Sequence, residues 1–133
     1  MDLERLTAEL REQLDAASRP AIAAYLFGSE ARGSAGAASD VDLAILFERE
    51  PEPTLAGQPF ELEARLEARL GRRVQIVALN RAPADLVHRV LRDGRLLIEN
   101  DRSARIRFEV RARNEFFDLE PLRRSYRRLG REG

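Results

Sequence analysis

The sequence predicts an α/β (α+β) domain in which helices pack on a small sheet, and three observations carry that reading. Two short apolar runs, Ala21–Phe27 between proline and glycine and residues 40–47 carrying two aspartates, have the length of strands. Leucines recur at spacings of three or four in residues 3–18 and 58–70, the period of amphipathic helices. Strand-like and helix-like segments alternate along 133 residues, which is enough chain for one domain with its own core.

The elements follow in order. Leu3, Leu6, Leu10 and Leu14 form the apolar stripe of a first helix, which Pro20 ends. Ala21–Phe27 is the first strand, with Tyr25 in the core. Residues 29–32 predict a helical turn with Ser29 near its N-terminus, where backbone N–H groups and the helix dipole favour an anion. Residues 33–38 predict a loop. Residues 40–47 form the second strand, with Val41, Leu43 and Ile45 on the face opposite Asp40 and Asp42, and Ala44 and Leu46 continuing the aspartate face into the core.

Residues 48–57, with two prolines, predict a surface loop. Residues 58–70 alternate in part like a strand, but Ala, Glu, Leu and Arg are strong helix formers. Leu62, Leu66 and Leu70 align at intervals of four beside the Glu61–Arg65 pair, so a helix closed by Gly71 is expected. Residues 72–79 form a third strand. Pro83 opens a short helix with Asp85 in its first turn, Arg89 and Arg92 near its end and Gly94 after it. Arg95–Glu99 is a fourth strand. From Asp101 onward alternation competes with helical spacing; the length and charge of the segment favour a helix over about 103–118, which Pro121 breaks or restarts. The expected organisation is a single domain over 1–133, its core about 21–100 and a C-terminal helical segment over 101–133.

Composition narrows the function. The absence of cysteine excludes disulfides and thiolate metal sites and fits a reducing cytoplasm. No apolar run approaches the roughly 20 residues of a membrane span, and the charged N-terminus does not read as a signal peptide. Basic and acidic residues balance at 23 each, so no global charge draws the chain to nucleic acid. Residues 101–133 carry ten arginines against six acids, which suits a solvated helix face or an acidic protein partner better than a nucleic acid, because stacking aromatics are not interleaved.

The chemistry concentrates in residues 28–46. Asp40 and Asp42 are two apart, so on a strand they face one way. Adjacent carboxylates repel unless a cation lies between them, and hard oxygen ligands of this kind suit Mg²⁺ held together with substrate phosphates. At the end of the preceding strand, Gly28 lets the backbone approach a phosphate closely and Ser29 offers an N–H and a hydroxyl. Arg32, one turn on, has the reach for a bidentate phosphate contact; the alternative is a plain surface arginine. His88, the one histidine, lies beside the apolar side of its helix, where packing is the expected role.

Gly28-Ser29, ten residues, then Asp40-Val41-Asp42 resembles the signature of the polymerase-beta-like nucleotidyltransferase superfamily. The flanking words YLFGSEARG and SDVDLAILF, a strand after LGRRV, a proline-started helix and DGRLLIEND are similar to its minimal form, the MNT domain, over residues 21 to about 120. A bare Gly-Ser or Asp-X-Asp would carry no such meaning. The resemblance implies a small mixed β-sheet, ATP as nucleotide donor and two Mg²⁺ ions. It gives Asp40 and Asp42 as metal ligands and catalytic residues, and Gly28, Ser29 and Arg32 as phosphate contacts.

The chain departs from that family at one point. The third carboxylate expected on the next strand falls at Gln75, and an amide brings no charge and cannot serve as a base. Asp85 and Asp93 are candidate substitutes, although both read as helix-terminal surface residues. For a single domain of this size, the resemblance implies an antitoxin that transfers AMP to a hydroxyl, a tyrosine above all, of a HEPN-domain ribonuclease toxin. The alternatives are an impaired MNT domain that neutralises its toxin by binding alone, and a regulatory nucleotide-binding domain.

Overall fold

The computed structural model describes residues 2–33, 40–54, 57–118 and 121, with Ser29 and Arg32 described by their backbone alone. Among the described residues, five helices and four strands follow one another as α1 (Leu3–Ala16), β1 (Ala21–Phe27), α2 (Gly28–Arg32), β2 (Val41–Phe47), α3 (Phe60–Leu70), β3 (Val74–Ala78), α4 (Ala84–Asp93), β4 (Arg95–Glu99) and α5 (Arg102–Asp118), with a 3-10 turn at Leu79–Arg81. Every expected element forms, with ends shifted by one or two residues. The loop expected over 33–38 lies outside the described residues apart from Gly33, and so do residues 119–120 and 122–133 at the end of the chain.

The sheet order is β3-β2-β1-β4, with β1 antiparallel to β2 and β4 and β2 parallel to β3. A parallel pair needs a crossover, which α3 supplies. On one face α1 and α3 cover the sheet: Leu6, Leu10, Leu62 and Leu66 pack on Leu26, Val41, Leu43, Ile45 and Ile98. Each of these helix leucines is almost wholly removed from water, worth about 2 kcal/mol apiece. On the other face Val87 and Val90 of α4, with Phe108 and Ala112 of α5, pack on Ala23, Tyr25, Ala44 and Leu46.

Burial on both faces explains why β1 and β2 read as nearly continuous apolar runs. The register of β1 shifts between Ala21 and Ala23, so Ile22 and Ala23 both serve the α4/α5 face before alternation resumes. At the edge strand β3, the N–H groups of Val74 and Ile76 donate to Glu67 and Glu63 of α3 at 3.0 and 2.8 Å. Two donors that would otherwise invite another strand are thereby closed off.

α5 is tied to the sheet by polar groups. The Tyr25 hydroxyl donates to Glu109 Oε1 at 2.6 Å, and Arg105 bridges that carboxylate at 2.8 Å and Glu99 at 2.6 Å. Burial and the Glu109 carboxylate push the Tyr25 phenol well above its ordinary range. Tyr25 is therefore core, as expected, with its one polar atom satisfied. His88 stacks on Phe116 with ring centroids 3.8 Å apart and planes 8° from parallel, the packing role the sequence suggested. Among the described residues no helix is long and apolar enough to cross a membrane.

Candidate functional site

β1 and β2 run antiparallel, and their register brings Phe27 opposite Asp42. Phe27 is the last residue of β1, so Gly28 turns directly over the carboxylate. Its φ is +73°, and a Cβ added there would run into Asp42 Oδ2, with Asp42 Cγ only 3.3 Å away. Only a residue without a side chain fits between this backbone and this carboxylate. The two halves of the motif, separated by a dozen residues in sequence, are therefore in van der Waals contact.

Asp42 is partly buried, on the strand face that continues as Ala44 and Leu46. Asp40, expected as the first residue of the strand, instead precedes it and is partly exposed. The reason is that the ladder begins one residue later, where the Val41 N–H donates to the Arg73 carbonyl at 2.8 Å. Ser29 and Arg32 are the second and last residues of α2; their side chains lie outside the description.

α2 is held in place by two arginines that sequence reasoning did not single out. Arg72, just before β3, forms an ion pair with Glu30, and the two side chains are only 15% and 8% exposed. Arg95, at the start of β4, donates through Nε to the Ala31 carbonyl at 3.1 Å. The short helix is thus clamped from both sides, which fixes the backbone turn at Gly28. Nothing in the local sequence announces either contact, because both partners come from distant elements.

The parallel register of β2 and β3 pairs Asp42 with Gln75. The amide thus occupies the neighbouring position on the next strand, and its side chain is exposed. Asp85 is exposed in the first turn of α4, and Asp93 is ion-paired with Arg92 at 2.9 Å. Among the described residues no three carboxylates or imidazoles come together as a metal site. The carboxylate of Asp42, with Asp40 two residues before it, is a hard oxygen donor of the kind that suits a divalent ion sharing phosphate oxygens and water. A cleft of about 670 Å³ between the 3-10 turn, α4 and α5 is a separate feature. It is lined by Ile22, Leu46, Phe47, Leu79 and Phe108, at the opposite end of the strands from Asp42.

The sequence matches the family model "Polymerase beta, Nucleotidyltransferase" over residues 9–103. The chain belongs to the polymerase beta nucleotidyltransferase family. The matched span takes in β1, α2, β2, β3 and β4, hence every residue of the site described above. No curated protein matches the sequence significantly. Among solved structures, this nucleotidyltransferase chain is similar to a toxin–antitoxin in complex with AMP-PNP, at 24% identity and TM-score 0.79, covering 90% of this chain and 94% of that one. It is similar to an MntA–HepT toxin–antitoxin at 22% identity and TM-score 0.74, covering 92% and 94%. A third neighbour is a complex of tri-AMPylated Shewanella oneidensis HEPN toxin with MNT antitoxin, at 22% identity and TM-score 0.75, covering 93% and 94%. At these identities the likeness establishes the nucleotidyltransferase fold.

Proposed function

We infer that this chain is a minimal nucleotidyltransferase acting as the antitoxin of a HEPN ribonuclease toxin, binding Mg-ATP and transferring AMP to a hydroxyl of that toxin. The observation that supports it most directly is the contact of the Gly28 backbone with the Asp42 carboxylate, a place where phosphate and cation meet. Its likeness in fold, over nine-tenths of the chain, to antitoxins solved with AMP-PNP and with an AMPylated HEPN toxin supports the choice of nucleotide and partner.

In this reading Asp40 and Asp42 hold Mg²⁺, and Gly28, Ser29 and Arg32 meet the phosphates. Bound there, Mg²⁺ supplies positive charge against the triphosphate and the leaving pyrophosphate. The toxin hydroxyl oxygen forms a bond to the α-phosphorus, the bond from that phosphorus to the α–β bridging oxygen breaks, pyrophosphate leaves and the hydroxyl proton passes to solvent. The clamp of Arg72 and Arg95 on α2 keeps the phosphate-binding turn in one position while this happens.

A second reading, neutralisation by binding alone, is favoured by Gln75 beside Asp42, which leaves the site without a third carboxylate. One experiment separates the two: incubation with the cognate HEPN toxin and ATP labelled in the α-phosphate. Label on the toxin that disappears with Asp42→Ala supports transfer. An unlabelled toxin that is nonetheless inactivated equally by wild type and Asp42→Ala supports binding alone.

A further inference from the structure

α5 has two faces that both bury or present apolar groups. Its inner face carries Phe108, Ala112 and Phe116 against the sheet and α4. Its outer face carries Ile106, Val110 and Phe117, which are 42%, 49% and 64% exposed. With Arg113 between the last two, these residues are spaced by four, three and four, the rhythm of a coiled-coil seam. Ile106 and Val110 line an open groove of about 700 Å³ along this face.

The residues along that groove are ordered by charge. Arg107 and Arg111 flank the seam toward the start of the helix, Glu115 and Asp118 toward its end. None of these four has an ion-pair partner among the described residues. Such an arrangement complements itself when reversed. In an antiparallel pair about a two-fold axis, Ile106 faces Phe117 of the second copy and Val110 faces Arg113, whose aliphatic stem covers it. The same operation sets Arg107 of one helix beside Glu115 and Asp118 of the other, while Arg111 lies at the two-fold axis. A parallel pairing would set like charges together, at a cost.

We propose that the outer face of α5 is a self-association surface, joining two copies of this chain through antiparallel α5 helices. The occupant is a second copy because the apolar seam and the charges on its flank are matched within this one sequence.

Sedimentation velocity on the full-length protein over a wide concentration range tests it. The wild type dimerises with rising concentration, while Val110→Glu stays monomeric with an unchanged far-ultraviolet circular dichroism spectrum. Charge reversal gives a second, independent arm. Arg107→Glu alone and Glu115→Arg alone each weaken dimerisation by about 10-fold or more, since like charges then meet twice. An equimolar mixture of those two variants dimerises as well as wild type, because both pairs are opposite again. A wild type that remains monomeric throughout, a Val110→Glu protein that dimerises like wild type, or a mixture no better than its components would each overturn the proposal.

Discussion

Gln75 on β3 stands in register with Asp42 on β2, so an uncharged amide occupies the place beside the carboxylate that touches the Gly28 turn. Gln75→Asp puts a second carboxylate there. Without divalent ions the two charges repel across the strands, and the midpoint of thermal unfolding falls, by an amount corresponding to about 0.5–1 kcal/mol. With Mg²⁺ or Mn²⁺ the loss reverses, and AMP transfer to the toxin rises by roughly 10- to 100-fold. Differential scanning fluorimetry with and without EDTA, together with pyrophosphate release, measures both. A variant indifferent to divalent ions would show that residue 75 does not belong to the site.

Gly28→Ala is expected to cost about 2–3 kcal/mol and to abolish nucleotide binding, since it combines a left-handed backbone with a collision against Asp42. Gly33→Ala is the control. Gly33 has nearly the same φ, +72°, but nothing within 4 Å of the added carbon, so it loses only about 1 kcal/mol and keeps the nucleotide. Urea unfolding and calorimetric titration with Mg-ATP report the two quantities.

Glu30→Ala leaves the Arg72 guanidinium in a largely buried place without the carboxylate it is paired to. A stability loss of about 3 kcal/mol is expected. The sharper expectation concerns the order of effects: a few-fold weaker nucleotide affinity persists at temperatures where the variant is fully folded, because α2 and with it the Gly28 turn are no longer clamped. Equal affinities for the folded variant and wild type would remove α2 placement from the site.

Tyr25 links stability to alkaline pH. The unfolded phenol titrates near 10 and the folded one higher, so the folded state holds its proton longer. Below about pH 10 that contribution is complete, and it declines above it by up to about 1.4 kcal/mol per pH unit. Tyr25→Phe costs about 1–2 kcal/mol at neutral pH, through the lost hydrogen bond to Glu109, and flattens this alkaline decline. Chemical unfolding at a series of pH values from neutral to strongly alkaline checks the difference in slope.

Strands β1 and β2 were legible because they are covered on both faces, which leaves little room for polar residues, and α1 and α3 because their leucines recur at spacings of three or four. The meeting of Gly28 with Asp42 was legible through the motif and its spacing. The Glu30–Arg72 pair was not, since a glutamate in a short turn and an arginine before a strand look like solvated charge until the topology folds one onto the other. Glu109 was hidden in the same way. It reads as the polar face of α5, yet it accepts from the buried Tyr25 hydroxyl. Asp40 shows the limit at an element boundary, where one ladder hydrogen bond decides whether a residue opens the strand or precedes it.

Residue 75 lies on an edge strand with its side chain in solvent, while Gly28 and Asp42 are locked together where β1 and β2 meet. The position in register with Asp42 on the next strand is thus separate from the packed contact of Gly28 with Asp42. A lineage carrying this scaffold can exchange an amide for an acid at that one outward position without disturbing the core. On the reading proposed above, that exchange would move the protein between binding its target and modifying it, with the buried contact of Gly28 and Asp42 unchanged.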